Sequence, residues 1–430
     1  MHTFHAEHLW RPDGWARDVE LAGAGRGRFV LPGVVDAHSH AFQRAMAGMA
    51  ERQTAAQDSF WTWRETMYRF AARLDPDSLQ AVAAQLYAEL LEAGYTRVCE
   101  FHYLHHAPDG RPYADPAAMS RALVAAARET GIGLTLLPTL YMQGGFDGRP
   151  LDARQMRFAH SVDAYLRLVG MLQAEALDDA RVRVGVAFHS LRAVPPEALR
   201  AVLDAVAPEL PVHIHVAEQT AEVDDCVAAR GARPVAWLLD NAPVDARWTL
   251  VHATHLEPTE VQGIARSGAT VALCPTTEAN LGDGLFPLRD FLDAGGVFSI
   301  GTDSHVSTSL AEELKMLEYG QRLAHRRRNV AAAGGGSTGE ALFAAALAGG
   351  RRSGGCDAAA DGVVVLDAEA PRFAGAGTAD VLDRWVFAGH GEAIDEVWVG
   401  GERLVAQGRH RERTAIAARY RAAIARLLAE

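Results

Sequence analysis

The chain has 430 residues, of which 49% are hydrophobic and 22% are charged. This is the composition of a globular protein with a large core, and the length allows one barrel-sized domain beside a smaller one. The net charge of -12 at pH 7 argues against a nucleic-acid partner, because such proteins need a basic surface. It still permits a small anionic substrate, since a few local arginines can outweigh the global charge.

The sequence shows no sign of a membrane segment or a secretory signal. No apolar run approaches the length that spans a bilayer, and the first residues lack a basic start followed by an apolar stretch. The cysteines are far apart and form no Cys-x-x-Cys pair, which suits a reducing compartment. They are Cys99, Cys226, Cys274 and Cys356. We therefore expect a cytoplasmic protein with no membrane partner.

Short apolar runs alternate with helical patterns over residues 31–355. The strand candidates end near His40, His102, Tyr141, His189, His215, His252, Pro275 and Asp303. Helical patterns lie between them, including those at residues 79–93, 119–130, 162–172 and 196–206. This alternation predicts an α/β fold, a (β/α)8 TIM-type barrel with its active site at the carboxyl ends of the strands.

The two ends of the chain predict a different structure. Residues 1–30 are short and broken, whereas residues 361–367 and 395–405 alternate as β-hairpins do. We expect residues 1–30 and 356–430 to pair into a small β-sandwich-like domain, with a terminal amphipathic helix at residues 414–428.

Two further motifs lie between the barrel pattern and the C-terminal hairpins. The three arginines Arg326–Arg328 predict a solvated or subunit-facing patch. Ser337 and Glu340 predict a capping box that opens the next helix.

Two histidines end the run Leu31-Pro-Gly-Val-Val-Asp-Ala-His-Ser-His40. Side chains on a strand alternate between faces, so His38 and His40 point the same way. His215 ends a second apolar run and Asp303 ends a third. Alone, a His-x-His pair is more often a surface or core pair, and such an aspartate is more often a turn residue. Together they predict a metal centre of three imidazoles and one carboxylate, suited to zinc or a similar divalent ion.

Other polar residues follow the same predicted strands. Glu218 lies three residues after His215, and on its own it would suit the first turn of a helix. Beside a metal, Glu218 is predicted to carry protons between water and a leaving nitrogen, and Asp303 to act as general base as well as ligand. His252 is predicted to hydrogen-bond the water or an oxyanion. The remaining histidines near these motifs are assigned to barrel packing (His213) or to loops without a clear partner (His105, His106 and His255).

Lys315 is the only lysine of the chain, and it lies beyond the predicted strand that ends at Asp303. Some hydrolases with such metal motifs bridge two metals with a carboxylated strand lysine, which no predicted barrel strand can supply here. The sequence therefore predicts one metal per chain and hydrolysis of a C–N bond at an amidine-like carbon.

In these motifs the chain resembles the amidohydrolase superfamily, specifically its mononuclear deaminase branch. Within that branch it is similar to the family that deiminates N-formimino-L-glutamate. The resemblance is carried by His38-Ser-His-Ala-Phe-Gln-Arg-Ala-Met-Ala-Gly48, Glu100-Phe-His-Tyr-Leu-His-His106, His213-Ile-His-Val-Ala-Glu-Gln219, Cys274-Pro-Thr-Thr-Glu-Ala-Asn-Leu-Gly-Asp-Gly284 and Gly301-Thr-Asp-Ser-His305. It implies a hydrolysis that yields N-formyl-L-glutamate and ammonia in histidine degradation. It places zinc on His38, His40, His215 and Asp303, and Glu218 and His252 in catalysis.

The resemblance also implies substrate contacts from Gln43, Tyr103, His189 and Arg192. The expected substrate carries two carboxylates and a cationic formimidoyl group. Arg192 suits a carboxylate through its bidentate fork, and the other three side chains offer hydrogen-bond donors. A homodimer is implied as well. Iron or manganese stays open as the metal, since the same ligands serve several ions.

Two other functions stay open at this point. Another deaminase of the same branch, acting on guanine, cytosine or an adenosine derivative, would need no arginine for a substrate carboxylate. A non-catalytic barrel that serves as a scaffold would typically have lost a metal ligand or the proton shuttle. The chain keeps all of them: His38, His40, His215, Asp303 and Glu218.

Overall fold

The computed structural model describes residues 3–53, 60–332, 335–389, 391 and 393–429. Its first three strands are β1 (Thr3–Arg11), β2 (Gly14–Ala22) and β3 (Gly25–Pro32). Strand β1 pairs antiparallel with β2 and parallel with β3. The N-terminal segment, which looks short and broken in sequence, therefore forms three full strands.

The next strands form a parallel ring. They are β4 (Val34–Ser39), β5 (Tyr95–His102), β6 (Gly133–Leu140), β7 (Val182–Val184), β8 (Val186–Ser190), β9 (Val212–Val216), β10 (Trp248–His252), β11 (Thr270–Leu273) and β12 (Val297–Ile300). The ring runs in the order β4-β5-β6-β8-β9-β10-β11-β12, and β7 pairs with β6 beside it. A parallel bridge between Ser39 and Asp303 joins the last strand to the first. The predicted eight-stranded barrel is confirmed.

Helices connect the strands at the predicted places. They are α1 (Phe60–Ala71), α2 (Pro76–Glu92), α3 (Ala118–Thr130), α4 (Val162–Ala176), α5 (Pro196–Ala205), α6 (Thr220–Arg230), α7 (Pro234–Asn241), α8 (Pro258–Ser267), α9 (Pro275–Leu281), α10 (Leu288–Asp293), α11 (Leu310–His325), α12 (Thr338–Ser353), α13 (Val381–Phe387) and α14 (Arg413–Ala429). Several begin with proline, whose fixed φ suits the first helical position and whose missing N–H costs nothing there. None of the described helices is long and apolar enough to cross a membrane.

The capping box predicted at the start of α12 is half correct. The Ser337 side chain accepts a hydrogen bond from the backbone N of Glu340 at 3.0 Å. The Glu340 carboxylate, however, accepts a hydrogen bond from Nε1 of Trp10 at 2.9 Å. Glu340 therefore ties strand β1 to the barrel, because an indole N–H in reach competes with the local backbone donor.

The C-terminal strands complete the sheet that β1–β3 begin. They are β13 (Val363–Leu366), β14 (Ile394–Val399), β15 (Glu402–Ala406) and β16 (Arg409–His410). Strand β13 pairs antiparallel with β3, so both termini share a seven-stranded sheet in the order β16-β15-β14-β13-β3-β1-β2. The terminal sheet and the terminal helix are confirmed, whereas the domain boundaries at residues 30 and 355 stay a prediction.

Gly301 shows how closely the barrel closes beneath the site. A Cβ added at Gly301 would lie 2.7 Å from Cβ of His38 and 2.9 Å from its backbone N. Asp303 donates its backbone N–H to the carbonyl of His38 at 2.9 Å, and His40 donates to the carbonyl of Asp303 at 3.2 Å. A residue without a side chain is thus required where β12 meets β4, the position from which the first histidines and the last carboxylate project.

Candidate metal centre and active-site cavity

The predicted site residues lie together at the carboxyl ends of the barrel strands. The backbone there is strained: φ is +52° at Ala217, +66° at His252 and +51° at Asp303. Such values are uncommon for residues other than glycine, and they persist only where the surrounding structure enforces them. They lie at or just after the ends of β9, β10 and β12, beside or at the predicted site residues.

The four predicted ligands converge on one point. Nε2 of His38 lies 3.1 Å from Nε2 of His40 and 3.1 Å from Nε2 of His215. Oδ1 of Asp303 lies 3.5 Å from Nε2 of His38 and 3.4 Å from Nε2 of His40. All four side chains are buried. The structure brings together three imidazoles and one carboxylate that the sequence separates by up to 265 positions.

The hydrogen bonds of the rings decide which nitrogens face inward. Nδ1 of His40 lies 2.8 Å from the carbonyl oxygen of Phe101, and Nδ1 of His215 lies 2.8 Å from that of His189. A carbonyl only accepts, so each Nδ1 carries the proton and each Nε2 presents a lone pair. Burial lowers the pKa of His40 to about 3, which keeps this ring neutral.

Lone pairs that meet at such distances inside a protein repel one another unless a cation lies between them. The donor set is nitrogen and oxygen, which suits a divalent ion such as zinc. The Nδ1 contacts to backbone carbonyls are the outer-shell bonds that orient metal-bound histidines. The residues therefore fit the metal centre predicted from the sequence.

Two buried carboxylates that the sequence analysis left unassigned support the ligands. Asp36 accepts hydrogen bonds from Thr302, at 3.0 Å from its backbone N and 2.6 Å from its hydroxyl. Glu100 accepts from the Ser39 hydroxyl at 2.7 Å and from the backbone N of Ala41 at 2.7 Å. These bonds tie β12 and β5 to the His38–His40 segment. The sequence offered one signal for both residues, because an acidic side chain within an otherwise apolar, buried strand needs a hydrogen-bond partner.

His252 lies between three carboxylates. Its Nε2 is 3.8 Å from Oε1 of Glu218 and 3.8 Å from Oδ2 of Asp303, and its Nδ1 is 3.4 Å from Oε1 of Glu278. Burial acts to lower the pKa of His252, but Glu218, Glu278 and Asp303 together raise it to about 10. Glu278 was not singled out from the sequence, although it lies in a segment that carries the family resemblance.

Glu222 holds the backbone that carries Glu218. Its carboxylate accepts from the backbone N of Ala217 at 3.1 Å and from that of Glu218 at 3.0 Å. Burial, followed by the charge of Glu218, raises the pKa of Glu222 to about 7. The sequence analysis missed this residue, because a glutamate in the first turn of α6 also satisfies an ordinary helix N-terminus.

A cavity opens beside the predicted ligands, and His40, His215 and Asp303 form part of its lining. The four residues that the resemblance places against the substrate all line it: Gln43, Tyr103, His189 and Arg192. The amide of Gln43 donates to the Tyr103 hydroxyl at 3.1 Å. Burial acts against the charge of Arg192, but Tyr141 and Glu222 beside it raise its pKa above the ordinary value. Arg64 of α1, which the sequence analysis did not single out, lines the cavity as a second cation.

The histidines assigned from the sequence to packing or loops do not line this cavity. Nε2 of His213 contacts the carbonyl of Ser353 at 2.9 Å, in agreement with its predicted packing role. The prediction that His105 and His106 lack partners is wrong. Both are buried, and their Nε2 atoms contact the carbonyl oxygens of Thr139 and Ala159 at 3.0 and 2.7 Å. The loop after β5 folds inward, which local sequence does not reveal.

Comparisons with known proteins agree with this geometry. Residues 29–403 match the amidohydrolase family. The chain belongs to this family. A formimidoylglutamate deiminase of Pseudomonas aeruginosa is 48% identical over 439 aligned residues, which cover 95% of this chain and 96% of that protein. The crystal structure of an amidohydrolase from Brucella melitensis has 45% identity and a TM-score of 0.95 over the full length of both chains. An 8-oxoguanine deaminase of Pseudomonas aeruginosa is 27% identical and aligns with 72% of this chain and 70% of its own length.

Proposed function

We propose that this protein hydrolyses N-formimino-L-glutamate to N-formyl-L-glutamate and ammonia, a step in histidine degradation. The observation that carries the proposal is a single cavity with the metal-ligand cluster at its base and arginines in its lining. The similarity to the formimidoylglutamate deiminase, which extends over nearly the whole of both chains, supports the same reaction. In this reaction water adds its oxygen to the formimidoyl carbon, and the terminal nitrogen leaves as ammonia.

The polar residues of the cavity suit the two ends of this substrate. The guanidinium group of Arg192 offers paired donors to a carboxylate. Arg64, which donates to the Tyr68 hydroxyl, adds a second positive charge to the lining. Gln43, Tyr103 and His189 add neutral donors that can bind the same oxygens. Aromatic side chains of Trp63, Tyr68, Tyr141 and Phe158 complete the lining and exclude water from these charged contacts.

The proposed metal is zinc, one ion per chain, held by His38, His40, His215 and Asp303. When bound, such an ion lowers the pKa of a coordinated water to about 7, so that a nucleophile is available at neutral pH. Iron(II) or manganese(II) on the same ligands is distinguished by metal analysis of the purified protein.

Three residues are proposed to move or hold protons. Asp303 accepts the proton that water gives up on attack. Glu218 hydrogen-bonds the formimidoyl nitrogen and delivers protons to it, so that a neutral amine leaves. His252, whose pKa is raised by Glu218, Glu278 and Asp303, donates a hydrogen bond to the oxygen that becomes the formyl carbonyl.

The family resemblance supports a homodimer as the working form, and we include it in the proposal. A cytoplasmic location is also proposed, because the four cysteines are free thiols, which a reducing compartment maintains.

Ammonia release from N-formimino-L-glutamate tests the reaction, with guanine, cytosine and S-adenosylhomocysteine as alternative substrates. We expect release from the first compound alone and its loss when a chelator removes the metal. Release from a nucleobase or a nucleoside derivative would agree with the proposed metal-dependent hydrolysis but would contradict the proposed substrate. If the metal-bound protein releases ammonia from none of these four compounds, the alternative of a non-catalytic barrel that serves as a scaffold is favoured.

A further inference from the structure

Helix α11 carries a continuous stripe of exposed side chains. Glu312, Met316, Tyr319 and Leu323 are all exposed, and their spacing of four, three and four residues places them on one helix face. Leu323 is 82% exposed, an unusual state for a leucine at the end of a well-formed helix. Arg327 follows just beyond the last turn and is also exposed. We call these five residues the α11 stripe.

Neighbouring residues widen the apolar part of the α11 stripe. Leu285 is 54% exposed and lies against Gly320, where an added Cβ would approach its Cδ2 to 2.8 Å. Tyr319 stacks on Phe387 with ring centroids 5.8 Å apart, and the guanidinium of Arg322 lies over both rings. Rigid aromatic and arginine side chains beside exposed aliphatic ones are typical of the centre of a protein interface.

The order of residues along the α11 stripe is self-complementary. An acidic residue begins it, three apolar residues occupy its centre, and an arginine ends it. We infer that the α11 stripe binds a second copy of this chain, with the two helices antiparallel across a two-fold axis beside Gly320. The inference rests on the homodimer proposed above and adds the surface that forms it.

In this arrangement each contact between the two copies occurs twice, once on either side of the two-fold axis. Met316 of one copy faces Leu323 of the other, and the two Tyr319 rings flank the axis. Glu312 of one copy faces Arg327 of the other. A parallel arrangement would place Glu312 against Glu312 and Arg327 against Arg327, so charge selects the antiparallel one. Leu285 of the same chain fills the space beside Gly320, so its exposed side chain joins the apolar centre of the interface.

Sedimentation of the full chain over a range of concentrations tests the surface. We expect the wild type to be a dimer and Leu323→Glu to raise its dissociation constant by about 100-fold or more, because a carboxylate then faces Met316. Leu177→Glu is the matched control, since Leu177 is 84% exposed at the end of α4 and lies outside the α11 stripe. If Leu323→Glu still forms the dimer with wild-type affinity, the α11 stripe is not its interface, although the protein is still a homodimer. A monomeric wild type would overturn both and leave the proposed reaction untouched.

Charge reversal tests the antiparallel pairing by itself. Glu312→Arg and Arg327→Glu should each weaken the dimer, since each creates like charges at both ends of the interface. The double variant Glu312→Arg/Arg327→Glu should restore it, and high salt should reduce the differences. Additive weakening in the double variant would contradict this pairing.

Discussion

The carboxylate of Glu222 lies 3.0 Å from the backbone N of Glu218 and accepts its hydrogen. A second bond from Ala217, whose φ is +52°, fixes the peptide that precedes Glu218. The proposed proton carrier is therefore aimed into the cavity by another acidic side chain one helical turn away. Without Glu222, the backbone N–H groups of Ala217 and Glu218 lose the carboxylate that accepts from them.

Glu222→Ala should therefore lower kcat by roughly 10- to 100-fold with a small change in KM, because a displaced Glu218 still permits substrate binding. Metal content should be unchanged. Glu222→Gln keeps one carbonyl oxygen for the two donors and should recover part of the loss. Steady-state kinetics with metal analysis provide the measurement, and Glu197→Ala, an exposed first-turn acid of α5, is the control. A lower melting temperature with normal kcat would reduce Glu222 to a structural role.

Glu218→Gln removes the proposed proton relay and preserves the shape of the side chain. We expect kcat to fall by about 100- to 10,000-fold, the range typical of a lost general acid–base group. The metal should remain, since Glu218 is outside the ligand cluster. Ammonia release under saturating substrate is the readout, and turnover close to that of the wild type would remove Glu218 from the relay.

The metal ligands can be tested with two histidines of one strand. His215→Ala should abolish metal binding, lower the melting temperature and eliminate activity, because it removes one of the four donors. His213→Asn is the matched control: this side chain lies two residues earlier on β9 and contacts the Ser353 carbonyl instead of the ligand cluster. The measurement is the metal content per chain of each variant. Equal metal loss in both variants would refute the assignment of His215 as a specific ligand.

Arg192→Ala should weaken binding of the substrate carboxylate. We expect KM for N-formimino-L-glutamate to rise by about 10- to 100-fold, since a hydrogen bond to a charged group is worth roughly 1.5–3 kcal/mol. Arg192→Lys should recover little, because an ammonium lacks the bidentate fork. The control is Arg128→Ala on α3, whose guanidinium pairs with Asp179 on the surface. Unchanged KM in Arg192→Ala would weaken the substrate assignment and favour a nucleobase deaminase.

Much of the fold could be predicted because local rules decide it. Apolar runs that end in polar residues, alternating with helical patterns, predicted the barrel strands, and the helices expected at residues 119–130 and 162–172 lie at Ala118–Thr130 and Val162–Ala176. The convergence of the predicted ligands could be foreseen for the same reason. Parallel barrel strands expose their carboxyl ends on one side, so His38, His215 and Asp303 had to meet there.

Contacts between distant segments were decided by the tertiary structure alone. The bond from Trp10 to Glu340, the place of Arg64 in the cavity and the contact of Glu278 with His252 follow no local spacing. Each depends on which side chains the closed barrel brings within hydrogen-bond distance, and burial then makes these contacts strong. By itself the sequence determined the strand order and the residues predicted as metal ligands, with the chemistry they suit. The tertiary structure decided which buried acids hold those residues in place, because a partner for a buried charge is chosen by proximity in space.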